Sequence, residues 1–251
     1  MVHQGKFLCQ LVNFGARIRR ETISHFLICH FQLNPQHTIP VLQDGDYVIS
    51  ESRAAACYLA NKYDRAEKLY PDTDLKTRAR IDQRLQFDAG TLYKRLADIV
   101  VGCCSRQNSI SSRISHSPLS LSQAKAASGG KVDPSDFEKL HEALMWTSDF
   151  VSQTGWVAGT EGLTLADISF VSTYSSARAL GNDIVNWSNY PELEAWFDRA
   201  VREIPNYEAA CGEGASQYGA ICGPMVKAAT EEMYEFWWGG EKIVIPAEVT
   251  K

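Results

Sequence analysis

"LNPQHTIPVLQDGDYVISESR", Leu33–Arg53, carries the pattern on which the fold turns. From Val41 to Ser50 two short apolar runs flank Asp44-Gly45, residues that tolerate the positive φ of a primed hairpin turn, so strand, turn, strand is expected. Pro40 lies just ahead of the first strand. Proline lacks an N–H, and X-Pro bonds alone become cis at modest cost. A cis turn there would leave the Ile39 backbone free to bond a ligand; an ordinary proline opening a strand is the competing reading. After the hairpin, "ESRAAACYLANKYDR" places Ala55, Tyr58, Leu59 and Lys62 on one helical face, with Ser52 as the expected cap. Glu51, Ser52 and Arg53 then stand at a helix start, where backbone N–H groups and the helix dipole suit a carboxylate and Glu51 can meet an amine. Such a groove fits a small zwitterionic peptide; a plain solvated turn is the alternative.

Working outward, the chain has 251 residues, is 45% hydrophobic and carries a formal net charge of −5. That balance gives no field that would attract phosphate backbones, so nucleic acid is not an expected partner. Seven cysteines, at 9, 29, 57, 103, 104, 211 and 222, form no C-x-x-C pair and no zinc spacing. They point to a reducing, cytoplasmic setting and to no metal. No apolar run approaches the roughly 18 residues of a membrane span.

"LYPDTD" interrupts the helical pattern at Pro71 and reads as a linker between domains expected at 1–68 and 74–212. Beyond it the stripe Leu85, Ala89, Leu92, Leu96, Ile99 predicts one long helix. "DPSDFEKL" opens another, with Asp133 as cap and Pro134 at the first helical position, its inward stripe being Phe137, Leu140, Leu144, Ser148 and Val151. "LTLADISFV" holds a capping box, Thr164-x-x-Asp167, ahead of a helix rich in small residues (Ala166, Ser169, Ser172, Ser175, Ser176, Ala177) that suits the centre of a bundle. "YPELEAWFDRAVREIP" adds a helix with Leu193, Trp196, Phe197, Ala200 and Val201 inward. Residues 105–131 are Ser-rich and too poor in apolar content to fold alone, so a flexible insertion is expected there. The extension 213–251 contains a candidate helical face of Met225, Ala229, Met233, Phe236 and Trp237, expected to pack on the bundle.

Together, "LNPQHTIPVLQDGDYVISESRAAACYLANKY", "RARIDQRLQFDAGTLY" and "LTLADIS" closely resemble cytosolic glutathione S-transferases, above all the arthropod delta and epsilon classes. The resemblance covers roughly residues 33–104 and 133–212. It implies an α/β thioredoxin-like N-terminal domain with a cis-proline, then an all-α helical C-terminal domain, in a homodimer. It implies glutathione as co-substrate, no other cofactor, and conjugation to small apolar electrophiles. By position, His37 would meet the glycyl end of glutathione. Ile39 would pair its backbone with the cysteinyl unit beside Pro40, and Glu51, Ser52 and Arg53 would hold the γ-glutamyl end. Tyr93, Leu96 and Val100 would line the electrophile pocket, with core packing as the alternative for each.

The family lowers the thiol pKa with a Ser or Tyr hydroxyl just after the first strand. Among residues 1–32 the hydroxyls are Thr22 and Ser24, and neither follows an evident strand. The segment is also short for the βαβ unit that the family places there. Cys9, in "KFLCQLV", could stand in as a thiol-type nucleophile, although an apolar run favours a buried small hydrophobe. The catalytic residue is therefore left unassigned. A second reading stands beside the enzyme: a binding or scaffold protein with the same fold and no thiol activation.

Overall fold

The computed structural model describes residues 33–36, 38, 40–107, 134–182 and 184–237; residues 1–32, 37, 39, 108–133, 183 and 238–251, and with them nearly all of the predicted Ser-rich insertion and the predicted cap Asp133, lie outside it. The chain divides into two compact units, Met1–Asp72 and Thr73–Lys251.

In the first unit β1 (Val41–Asp44) pairs antiparallel with β2 (Tyr47–Ser50), in the register Val41 to Ser50 and Asp44 to Tyr47. The two-residue loop is Gly45-Asp46, and Gly45 supplies its positive φ of 62°. Helix α1 (Ser52–Tyr63) follows β2 after a single residue. The hairpin is fastened to α1 through Asp44, whose carboxylate accepts from the Tyr58 hydroxyl at 2.6 Å and from the Lys62 ammonium. Those two bonds, Lys62 first, hold the Asp44 carboxyl below its usual range. Tyr47 lies over Tyr58 with ring centroids 5.1 Å apart. The turn end of the hairpin is thereby fixed to the last turns of the helix whose first turn carries Ser52 and Arg53.

The second unit is helical among its described residues. Asp74 caps α2 (Leu75–Phe87) by accepting from the Lys76 and Thr77 N–H groups at 3.1 Å each. A π-helical turn, Asp88–Leu92, joins α2 to α3 (Tyr93–Gln107). The predicted stripe holds at Leu85, Leu92, Leu96 and Ile99, all buried, but Asp88 rather than Ala89 fills the buried position between them. A π turn inserts one residue and rotates what surrounds it, so a 3.6-residue period misreads the facing there. Helix α4 (Pro134–Ser152) buries Leu140, Ala143, Leu144, Thr147 and Val151.

Helix α5 (Leu165–Ala179) is the central one, with nine buried residues in its 15. Its core is aromatic as well as small, because Phe170 and Tyr174 are buried, while the expected packing residue Ser172 is exposed. Helix α6 (Pro191–Glu203) buries Leu193, Trp196, Phe197 and Ala200. A second π turn, Glu208–Gly212, leads into α7 (Glu213–Trp237), which lies on α5 and α3. Among the described residues its buried positions are Ala215, Gly219, Val226 and Thr230, not the predicted face through Met225; the side chains of Ala229, Met233, Phe236 and Trp237 lie outside the described residues.

The crossing of α7 over α5 depends on Gly219, where an added Cβ would stand 2.1 Å from the Ala179 carbonyl oxygen. Relief requires moving main chain, not a flexible side chain. Gly219→Ala is therefore expected to destabilise the helical unit by about 1.5 kcal/mol despite the better helix propensity of alanine. Chemical denaturation of the two proteins measures this.

Candidate functional site

The loop entering the hairpin is held by Asn34, a residue that sequence reasoning did not single out. Asn34 is buried, its amide donates to the Thr38 carbonyl at 2.8 Å and to the Thr38 hydroxyl at 3.0 Å, and its carbonyl accepts the Gln36 N–H at 3.1 Å. These bonds brace the loop on both sides of position 37. The sequence signal was the Asn-Pro pair, since asparagine commonly bonds a backbone group a few residues on. Pro40 is exposed directly before β1; His37 and Ile39 lie outside the described residues.

At the other end of the hairpin, Glu51 is the sole link between β2 and α1 and has φ 70° and ψ 106°. It, and not Ser52, occupies the N-cap position, and its side chain makes no capping bond. Its carbonyl accepts the Ala55 N–H at 2.9 Å, the first bond of the helix. Ser52 opens α1, and its hydroxyl oxygen accepts from the Arg53 guanidinium at 3.2 Å. The helix start thus offers backbone N–H groups without a side-chain cap, a hydroxyl and a guanidinium side by side, and the exposed Glu51 carboxylate. Adjacent donors at a helix N-terminus suit a carboxylate, and Glu51 suits an ammonium group.

In the helical unit, Leu96 and Val100 are 2% and 5% exposed, while Tyr93 is 50% exposed, so only Tyr93 presents much of its ring at the surface of that unit. Just ahead of Tyr93, the Asp88 carboxylate accepts from the Ser169 hydroxyl at 2.5 Å and the Thr173 hydroxyl at 2.8 Å, pinning the π turn to α5. The capping box at Thr164 and Asp167 forms, and Asp167 reaches well beyond it. Its carboxylate accepts from the Thr164 N–H and hydroxyl, from the Val157 N–H and from the Trp196 indole N–H. The Val157 carbonyl in turn accepts from Arg84 at 2.7 Å. Burial, with the nearby Arg80 charge, pulls the Arg84 guanidinium down to about 10.

No family model matches the chain. Over 176 residues it is 34% identical to glutathione S-transferase D7 of Anopheles gambiae, an alignment covering 70% of this chain and 68% of that protein. The chain belongs to the glutathione S-transferases. Among solved structures it is similar to a delta-class glutathione transferase of Nilaparvata lugens, at 32% identity and a TM-score of 0.63 with 84% of each chain covered. It is also similar to a glutathione transferase homologue of Drosophila mojavensis with bound glutathione, at 28% identity and a TM-score of 0.63 with 83% of each chain covered. The transferase fold is therefore a thioredoxin-like N-terminal domain followed by an all-helical C-terminal domain. In this transferase the hairpin and α1 belong to the first and α2 to α7 to the second.

Proposed function

We propose that this transferase binds reduced glutathione at residues 37–53 and conjugates it to small apolar electrophiles, as a detoxifying enzyme of the cytoplasm. The observation that carries the reading is the α1 start, where Glu51, Ser52 and Arg53 meet with no side-chain cap on the helix. Ser52 and Arg53 take the α-carboxylate of the γ-glutamyl unit and Glu51 takes its ammonium group. His37 meets the glycyl end, and the Ile39 backbone beside Pro40 pairs with the cysteinyl unit. Binding both ends of the tripeptide holds the thiol in one place, so the encounter with the second substrate becomes the sole orientational demand. Tyr93 lies with Leu96 and Val100 on the helix assigned to the electrophile, and its exposed ring supports an apolar or aromatic second substrate. A homodimer is the proposed assembly.

In the reaction the glutathione thiolate attacks an electrophilic carbon, a C–S bond forms, and the leaving group departs with its electron pair. The hydroxyl that favours the thiolate is sought between Thr22 and Ser24, with Cys9 as the alternative thiol-type nucleophile; all three lie outside the described residues. Incubating the protein with glutathione and an activated aryl chloride tests the proposal. The expected result is protein-dependent release of chloride with formation of the thioether. Saturable glutathione binding without conjugate would support the binding-protein reading in its place.

A further inference from the structure

The stretch from Leu33 to the start of β1 holds two prolines, Pro35 and Pro40, and each of its described residues except Asn34 is exposed. Such a stretch has no apolar core of its own to fix its path. One polar side chain fixes it instead. Asn34 is 3% exposed, and its amide is spent within the loop: Oδ1 accepts the Gln36 N–H at 3.1 Å, while Nδ2 donates to the Thr38 carbonyl at 2.8 Å and to the Thr38 hydroxyl at 3.0 Å. The bond to Gln36 is an Asx turn, in which asparagine imitates a backbone turn. Pro35 suits it, because proline has a fixed φ and no N–H, so the Gln36 N–H is the first backbone donor after Asn34. Three bonds from one buried amide thus close residues 34–38 into a ring. Burial of the amide helps to hold the ring shut, since a buried amide stripped of its partners is unfavourable.

Residue 37 stands between the two anchored neighbours, Gln36 and Thr38, and the glutathione reading gives it the glycyl end of the ligand. A loop free to move must be ordered when the ligand binds, whereas a loop already fixed need not be. The γ-glutamyl end rests on different supports. There the start of α1 is held by the pairing of Ser50 with Val41 and by the tie from Asp44 to Tyr58 and Lys62. The two ends of the ligand therefore depend on separately held pieces of backbone. We infer that Asn34 is a positioning residue for the glycyl end alone: it sets the discrimination between the tripeptide glutathione and the dipeptide γ-glutamylcysteine, which lacks the glycine. This rests on the glutathione reading above and adds to it the residue that determines specificity for the third amino acid of the ligand.

Calorimetric titration of both peptides into wild type, Asn34→Ala and Ser52→Ala tests the inference. Wild type is expected to bind glutathione more tightly than γ-glutamylcysteine. In Asn34→Ala glutathione is expected to bind roughly 5- to 20-fold more weakly, with the affinity for γ-glutamylcysteine changed by less than about twofold. Ser52→Ala acts on the end that the two peptides share and is expected to weaken both alike. A purely structural loss at a buried residue would lower both affinities together and leave their ratio unchanged. Should Asn34→Ala fail to fold, Thr38→Gly carries the same expectation of a selective loss, because it removes the hydroxyl partner and loosens the main chain of the ring at an exposed position. Equal wild-type affinities for the two peptides would overturn the inference, and so would an equal loss, or no loss, of both in the loop variant, while the glutathione reading stood. No glutathione binding by the wild type itself would overturn that reading and the inference with it.

Discussion

Asp167→Ala is expected to lower the stability of the helical domain by about 4 kcal/mol. The carboxylate is fully buried and accepts hydrogen bonds from four donors at 2.8 to 3.0 Å. Alanine leaves the Val157 and Thr164 N–H groups and the Trp196 indole N–H without that acceptor; the Thr164 hydroxyl can rotate to another. A buried donor left without a partner costs roughly 1–3 kcal/mol, and the three act within one network, so their sum is not simply additive. The loss exceeds that of an ordinary helix cap, about 1 kcal/mol, because Asp167 joins α5, the loop before it and α6 as well as capping a helix. The Arg84 bond to the Val157 carbonyl adds α2 to the same junction. Asp167→Asn keeps the volume and one carbonyl acceptor and is expected to fall between wild type and alanine. Urea denaturation measures both, and a loss below about 1 kcal/mol for alanine would reduce Asp167 to a cap alone.

The second large effect is on the ligand. Ser52→Ala removes a hydroxyl that already accepts from Arg53 and that, in the proposed function, donates to the γ-glutamyl carboxylate. Hydrogen bonds to charged groups contribute roughly 1.5–3 kcal/mol, which corresponds to about a 10- to 150-fold weaker dissociation constant for glutathione. Folding should be little affected, since Ser52 is not the helix cap and its hydroxyl makes no capping bond. Weakened binding at unchanged thermal stability is therefore the signature expected of Ser52, opposite in character to that of Asp167.

Features set by short-range periodicity were legible in the sequence. The hairpin followed from the two apolar runs around Asp44-Gly45, the capping box from Thr164 and Asp167 standing three apart, and most of the inward faces of α4 and α6 from three- and four-residue spacing, although the predicted Phe137, Ser148 and Val201 are only half-buried and Ala143 and Thr147 complete the α4 face instead. What escaped depends on neighbours distant in the chain or on backbone angles. Asp88 stands beside the predicted stripe, and its burial needs the hydroxyls of Ser169 and Thr173, more than 80 positions away. The reach of Asp167 to Trp196 spans 29 positions, and that of Arg84 to Val157 spans 73. The candidate site divides in the same way. The residue types Glu51, Ser52 and Arg53 were readable, but the sequence placed Ser52 at the cap. The structure gives that position to Glu51, because a one-residue junction needs a φ that no local pattern announces in a non-glycine residue.

Calorimetric titration of reduced glutathione into wild type and Ser52→Ala, at one temperature and pH, tests the central claim most directly. The account predicts saturable binding to the wild type and a dissociation constant about 10- to 150-fold larger for Ser52→Ala, with melting temperatures that match. Equal affinities for the two proteins would contradict the assignment of the γ-glutamyl site to the start of α1.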